Sequence, residues 1–246
     1  HEDRRRHRCT LELHTKRSTE HYRTPTQPYY KLIPAIKIEL KRDALLQKSI
    51  DYYLSLISPW SYLGHERLVK MAKQYDTAIT IWPVDFSIIF PNTGGIPLPK
   101  RSEQRKAYRM QELRRWRDHT EVDLNFEPLH FPVSDKLAAT MVVNLRKQDA
   151  QKAIHLAGAC LRACWREERD ISDADTLLAI ATENNLDGSE LLADSDGAIE
   201  ERAQDSVNAV ELGVFGAPSY RFDEQLFWGQ DRLNFLKKEL QRTPAE

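Results

Sequence analysis

The residues best placed to do chemistry are Ser58-Pro59-Trp60-Ser61, which stand directly behind the apolar run of residues 50–57. A serine followed by proline is the signature of a helix start, with Ser58 as N-cap and Pro59 at the first helical position. Such an end presents N–H groups without intrahelical partners and a partial positive charge. A hydroxyl beside it can hold an anion that a ligand brings in, a thiolate among them. Read alone, Ser58 is more readily an ordinary cap. Far downstream, Gly213-Val214-Phe215-Gly216-Ala217-Pro218-Ser219 forms a proline-containing loop, and Gln230 and Asp231 open a last predicted helix. There a carboxylate can pair with an ammonium and free N–H groups can take a carboxylate, although plain capping explains Asp231 as well.

The elements that must position these groups follow from periodicity. Residues 50–57 are rich in β-branched and aromatic types and read as a strand. Leu68, Met71, Ala72 and Tyr75 then fall at helical spacing, and residues 79–86 read as a second strand whose Pro83 places it at an edge or bulge. Residues 91–99 carry loop chemistry. Five amphipathic stretches follow, marked by Tyr108/Leu113/Trp116, Leu137/Met141/Val142/Leu145, Ile154/Ala157/Leu161/Trp165, Leu177/Leu178/Ala181 and Ile199/Ala203/Val207/Val210. Beyond Gly213 the pattern returns to two short strands joined by Asp223-Glu224, then a helix carrying Leu233, Leu236 and Leu240. The order is βαβ, helical insert, ββα. We therefore expect an α/β domain made of residues 49–90 and 213–246, a helical insertion over 91–212, and a poorly ordered extension over 1–48.

Bulk properties narrow the partners. The net charge is −1, with 36 basic against 37 acidic side chains, so no global field draws the chain to nucleic acid or a membrane surface. A small molecule is the expected partner. Cys9, Cys160 and Cys164 cannot make a disulfide framework, and no apolar run approaches the ~20 residues that span a bilayer. A reducing, cytoplasmic setting is expected. The first 48 residues carry 12 Lys/Arg and 6 Asp/Glu, and the first methionine is Met71. Their acidic residues argue against a transit segment. The histidines show no metal-ligand spacing, so no metal is expected.

Three segments carry a family resemblance: Ser58-Pro59-Trp60-Ser61-Tyr62-Leu63-Gly64, the 213–219 loop, and Phe227-Trp228-Gly229-Gln230-Asp231-Arg232-Leu233. Over about residues 49–240 the chain resembles the 2-hydroxychromene-2-carboxylate isomerases and kappa-class glutathione transferases, a DsbA-like branch of the thioredoxin superfamily. The resemblance implies a thioredoxin-like fold with an all-α insertion after the second strand. It also implies a redox-type site with serines in place of both cysteines of Cys-x-x-Cys, so the reactive sulfur comes from glutathione.

On that resemblance Ser58 holds the glutathione sulfur, Pro218 is cis, Ala217 pairs with the cysteinyl portion through its main chain, and Gln230 and Asp231 take the γ-glutamyl end. Kappa-type relatives place a glutathione-holding asparagine where Gly95 stands here; Asn92 can reach the same ligand, although a tight-turn role explains it at least as well. Trp60, Tyr62 and His130 are the expected substrate contacts, and an arginine of the 114–119 segment can clamp an acidic substrate, although that segment also reads as a solvated face. Cys160 and Cys164 read as core positions. The implied activity is cis–trans isomerisation of 2-hydroxychromene-2-carboxylate or a similar unsaturated aromatic acid by reversible thiolate addition. The alternatives are a kappa-like transferase or peroxidase and a non-catalytic thiol or peptide binder. A homodimer is expected from the family.

Overall fold

The computed structural model describes residues 49–242; the segment expected to form an N-terminal extension, and Cys9 with it, lies outside the described residues. Strand β1 (Ser49–Leu54) leads through Ser58 into α1 (Pro59–Gln74), which returns the chain to β2 (Ala78–Pro83). β1 and β2 run parallel, pairing from Ser49↔Ala78 to Leu54↔Pro83. The chain then forms α2 (Phe86–Thr93), a short 3₁₀ turn (Leu98–Lys100), α3 (Glu103–Thr120), α4 (Lys136–Gln148), α5 (Ala150–Trp165), α6 (Ala174–Glu183), α7 (Gly188–Ala193) and α8 (Ser195–Glu211). The hairpin β3 (Ser219–Phe222) and β4 (Gln225–Trp228), a 3₁₀ turn at Gln230–Arg232 and α9 (Leu233–Gln241) complete it. β3 lies antiparallel to β1, so the four-stranded sheet has the order β2-β1-β3-β4. This is a thioredoxin-like sheet with an all-α insertion after its second strand.

The alternation of β1 divides the core. Ile50, Tyr52 and Leu54 face a large cluster shared with α1, α4, α5 and α9, while Tyr53 faces a smaller one with Val84, Ile89, Ala209 and Val214. Asp223 and Glu224 both adopt positive φ, 51° and 64°, as a two-residue hairpin turn demands.

Three local expectations are corrected. The second strand ends at Pro83, because Asp85 caps α2 by accepting a bond from the Ser87 N–H at 2.8 Å; helix therefore replaces the end of the strand and the start of the expected 91–99 loop. Residues 188–211 form two helices, α7 and α8, separated at Asp194, whose side chain caps α8.

The third correction concerns the face that α8 buries. It buries Ala198, Arg202, Asp205, Ser206 and Ala209, leaves Ile199, Ala203 and Val210 half-buried, and exposes Val207. Distant partners make this polar face stable. Arg202 pairs with Asp135 at 2.8 Å and donates to the Val84 carbonyl at 2.8 Å. Asp205 and Glu201 share Arg146, and the Ser206 hydroxyl accepts from the Asp85 N–H at 2.8 Å. Buried ion pairs outweigh the apolar pattern here.

Candidate active site

Ser58 sits where β1 becomes α1, in extended conformation (φ −87°, ψ 121°), and its Oγ accepts from the Ser61 N–H at 3.2 Å. A hydroxyl that accepts this bond keeps its own proton free to donate. Ser58 is half-buried and lines a cleft of about 700 Å³. Its backbone is held from behind: the Ser58 N–H donates to the Ser55 carbonyl at 3.0 Å, and the Ser55 hydroxyl donates to Asp135 at 3.1 Å. The buried Asp135–Arg202 pair thereby anchors the helix start. Ser61, by contrast, is fully buried beneath the helix.

The Ala217–Pro218 peptide is cis. Ala217 lines the same cleft as Ser58 and Trp60, while the Pro218 carbonyl accepts from the Gly229 N–H at 2.8 Å and ties the loop to the final turn. A second recess of about 330 Å³ shares Trp60, Ala217 and Trp228 with the cleft and contains Gln230 and Asp231. Gly229 is required between them: it has φ 101°, and a Cβ there would stand 2.4 Å from Asp231 Oδ1. Gly64 lets α1 approach the same turn, since its Cβ would meet Gln230 Cβ at 2.8 Å. Asp231 is half-buried, with one oxygen 2.7 Å from Arg232 Nη1.

In that recess the Gln230 amide oxygen accepts from Arg67, and the residue is buried. Other expected contacts lie elsewhere. Tyr62 is two residues from Trp60 and points to the far side of α1, where its hydroxyl donates to the Asp123 carbonyl at 2.7 Å. His130 turns to Asp170, 3.8 Å away, while its neighbours Phe131 and Pro132 line the cleft. Asn92 folds its amide onto the Ile88 carbonyl of its own helix at 2.8 Å, and Thr93 to Ile96 line the cleft in its place. In the 114–119 segment, Arg115 pairs with Glu112, Arg117 with Asp118, and Arg114 and Arg117 lie over Phe126.

Among the described residues, the cations that line the cleft are Arg101, Arg105, Lys106 and Arg109, and no Asp or Glu lines it. Its apolar wall includes Ile57, Trp60, Phe86, Phe90 and Phe131, with Phe86 and Phe90 4.6 Å apart between ring centroids. Arg101, Arg105 and Arg109 recur at intervals of four, a signal present in the sequence and outshone by the denser segment after it. Cys160 and Cys164 lie buried in α5, and burial pushes both thiols up to about 12. Neither can supply a thiolate near neutral pH. The arrangement offers a hydroxyl and helix start for an anion, a carboxylate for a cation, and guanidiniums above an aromatic wall for an acid.

The comparisons with known proteins agree with this frame. The family described as a DSBA-like thioredoxin domain matches residues 49–241. A 2-hydroxychromene-2-carboxylate isomerase of Sphingobium xenophagum is 32% identical over 200 residues, covering 79% of this chain and 99% of that protein. Glutathione S-transferase kappa 1 of Caenorhabditis elegans is 26% identical over 208 residues, covering 78% of this chain and 91% of that protein. A solved 2-hydroxychromene-2-carboxylate isomerase shares the fold with a TM-score of 0.65 at 21% identity, over 78% of this chain and 94% of that one. These relatives are isomerases and transferases, enzymes acting on small molecules. No helix among the described residues is long and apolar enough to cross a membrane. The chain belongs to the DSBA-like thioredoxin family, within the group that holds the 2-hydroxychromene-2-carboxylate isomerases and the kappa-class glutathione transferases.

Proposed function

We propose that this protein is a glutathione-dependent cis–trans isomerase acting on 2-hydroxychromene-2-carboxylate or a similar unsaturated aromatic acid. The observation that carries the reading is the Ser58 hydroxyl, opening at the start of α1 onto a cleft with an aromatic wall and a cationic rim. When bound, glutathione supplies a thiolate able to add reversibly to the conjugated double bond of the 2-oxo acid formed when the hemiketal ring opens to its phenol, and that bond is then a rotatable single bond until the sulfur leaves.

The chain's own residues would hold and ionise it. A free thiol is only a few per cent thiolate at neutral pH, and lowering its pKa by about two units takes ~2.7 kcal/mol. A hydroxyl donor to an anion contributes ~1.5–3 kcal/mol and a helix N-terminus ~0.3–2 kcal/mol, so Ser58 and the start of α1 suffice together. Ala217 offers its main chain beside them, and Asp231 offers a carboxylate to the γ-glutamyl ammonium in the adjoining recess. Trp60, Phe86, Phe90 and Phe131 would exclude water around the aromatic acid, and the cationic rim would take its carboxylate.

Product analysis tests the reading. Incubating the protein with glutathione and cis-configured 2-hydroxychromene-2-carboxylate is expected to give the trans isomer with glutathione recovered in full. The kappa relatives favour a second reading, transfer to an electrophile, for which the adduct accumulates instead. Ser58→Ala is expected to lower glutathione-dependent turnover by ~10²–10³-fold; unchanged turnover would remove Ser58 from the mechanism.

A further inference from the structure

The four cations of the cleft are not equivalent. Arg101 donates its Nε–H to the Ile96 carbonyl at 2.8 Å and so holds the loop before α3. Lys106 is paired with Glu103 at 2.9 Å. Arg105 is exposed at the rim. Arg109 is half-buried, its Cζ lies 5.8 Å from the centroid of Phe131, and among the described residues its guanidinium makes one hydrogen bond, to Met110 Sδ at 3.7 Å, and no ion pair. Burial and the neighbouring Arg101 push its pKa down to about 10. A guanidinium that has lost water without gaining a counter-charge is poised for one, and its planar fork matches a carboxylate. Among the described residues the cleft lining provides no acid.

We propose that Arg109 is the specificity-determining residue that binds the carboxylate of the electrophile, with the aromatic ring against Phe131, so that the protein prefers conjugated aromatic acids to neutral electrophiles of the same shape. This deepens the proposed function and rests on it for the identity of the reaction. The carboxylates of glutathione are the competing source of the same charge, and the test separates the two.

The probes are 2-oxo-4-phenylbutanoate and 4-phenylbutan-2-one, which share the phenyl ring and ketone and differ in a carboxylate against a methyl group. Neither carries a conjugated double bond, so each is measured as a ligand, by calorimetry, without glutathione. The full chain is expected to bind the acid at least tenfold more tightly than the ketone. Arg109→Met is expected to weaken the acid by about 10- to 10²-fold and the ketone by less than threefold, and Arg109→Lys to restore part of the difference. Glutathione affinity, measured separately, is expected to stay within twofold in both variants. An acid and a ketone weakened equally would overturn the proposal, as would a tenfold loss of glutathione affinity with the acid unaffected. A wild-type chain that binds no glutathione would refute the proposed function instead and leave the acid-to-ketone comparison intact. Circular dichroism of the variants confirms that each folds.

Discussion

Helices α3 and α5 lie on the same polypeptide insertion and are built to opposite ends. α5 buries eleven of its 16 residues, among them both cysteines and Trp165. α3 buries only Leu113 of its 18 and spends its surface on charge. α5, paired with α4, is core: its small residues let α1 approach closely, with His65 against Gly158, where a Cβ would stand 2.7 Å from His65 Nε2. α3 is wall: Arg105, Lys106 and Arg109 project from it into the cleft. A wall that contributes little to the core is free to vary in its side chains without unfolding the domain. The scaffold would then set that a thiolate is held, and the wall which electrophile meets it.

Substitutions should sort along this line. The largest stability loss is expected from Asp135→Asn, which leaves Arg202 buried beside a neutral partner and frees the Ser55 hydroxyl; denaturant unfolding should show a loss of about 3–5 kcal/mol. Next, Leu161→Ala in α5, fully buried, should cost about 2–5 kcal/mol by the same measurement; a loss below 1 kcal/mol would show that α5 is not the core element it looks.

A pH effect follows from His65. Burial holds its imidazole neutral, with a pKa lowered from 6.5 to about 4. Between those values the unfolded chain binds more protons, so stability is full above pH 6.5 and falls as the pH drops towards 4, by on the order of 3 kcal/mol. Thermal melts from pH 7 to 4 should show this slope, and His65→Gln should flatten it. At the small end, Arg109→Met on the wall should leave stability within about 0.5 kcal/mol of the parent. A large loss there would erase the distinction between the two helices.

The same division governs what could be read from sequence. Ser58-Pro59 and the 213–219 loop are local signals with fixed geometric meaning, and the structure brings Ser58, Trp60 and Ala217 to one cleft. The sheet was legible because β1 and the Asp223-Glu224 turn are encoded by neighbouring residues. Tyr62 lies outside the cleft lining, as helical spacing alone implies: it stands some 200° from Trp60, twice the ~100° step per residue. His130 and Asn92 depended on which way a loop residue or a helix end turns, and the sequence holds no sign of Asp170 or the Ile88 carbonyl as their partners. The polar buried face of α8 was illegible for a stronger reason: Arg202 and Asp205 are buried because Asp135 and Arg146, far away in the chain, neutralise them. Only the tertiary structure makes that burial affordable.

On the proposed reading, Ser58 and the start of α1 stabilise a bound thiolate. The direct measurement is the ultraviolet thiolate absorbance of glutathione bound to the full chain, titrated against pH, for the parent and Ser58→Ala. The bound thiol is expected to have a pKa about two units below the free value of about 8.5, with most of that depression lost in Ser58→Ala. A bound thiol that titrates like free glutathione, or a depression untouched by the substitution, would contradict it.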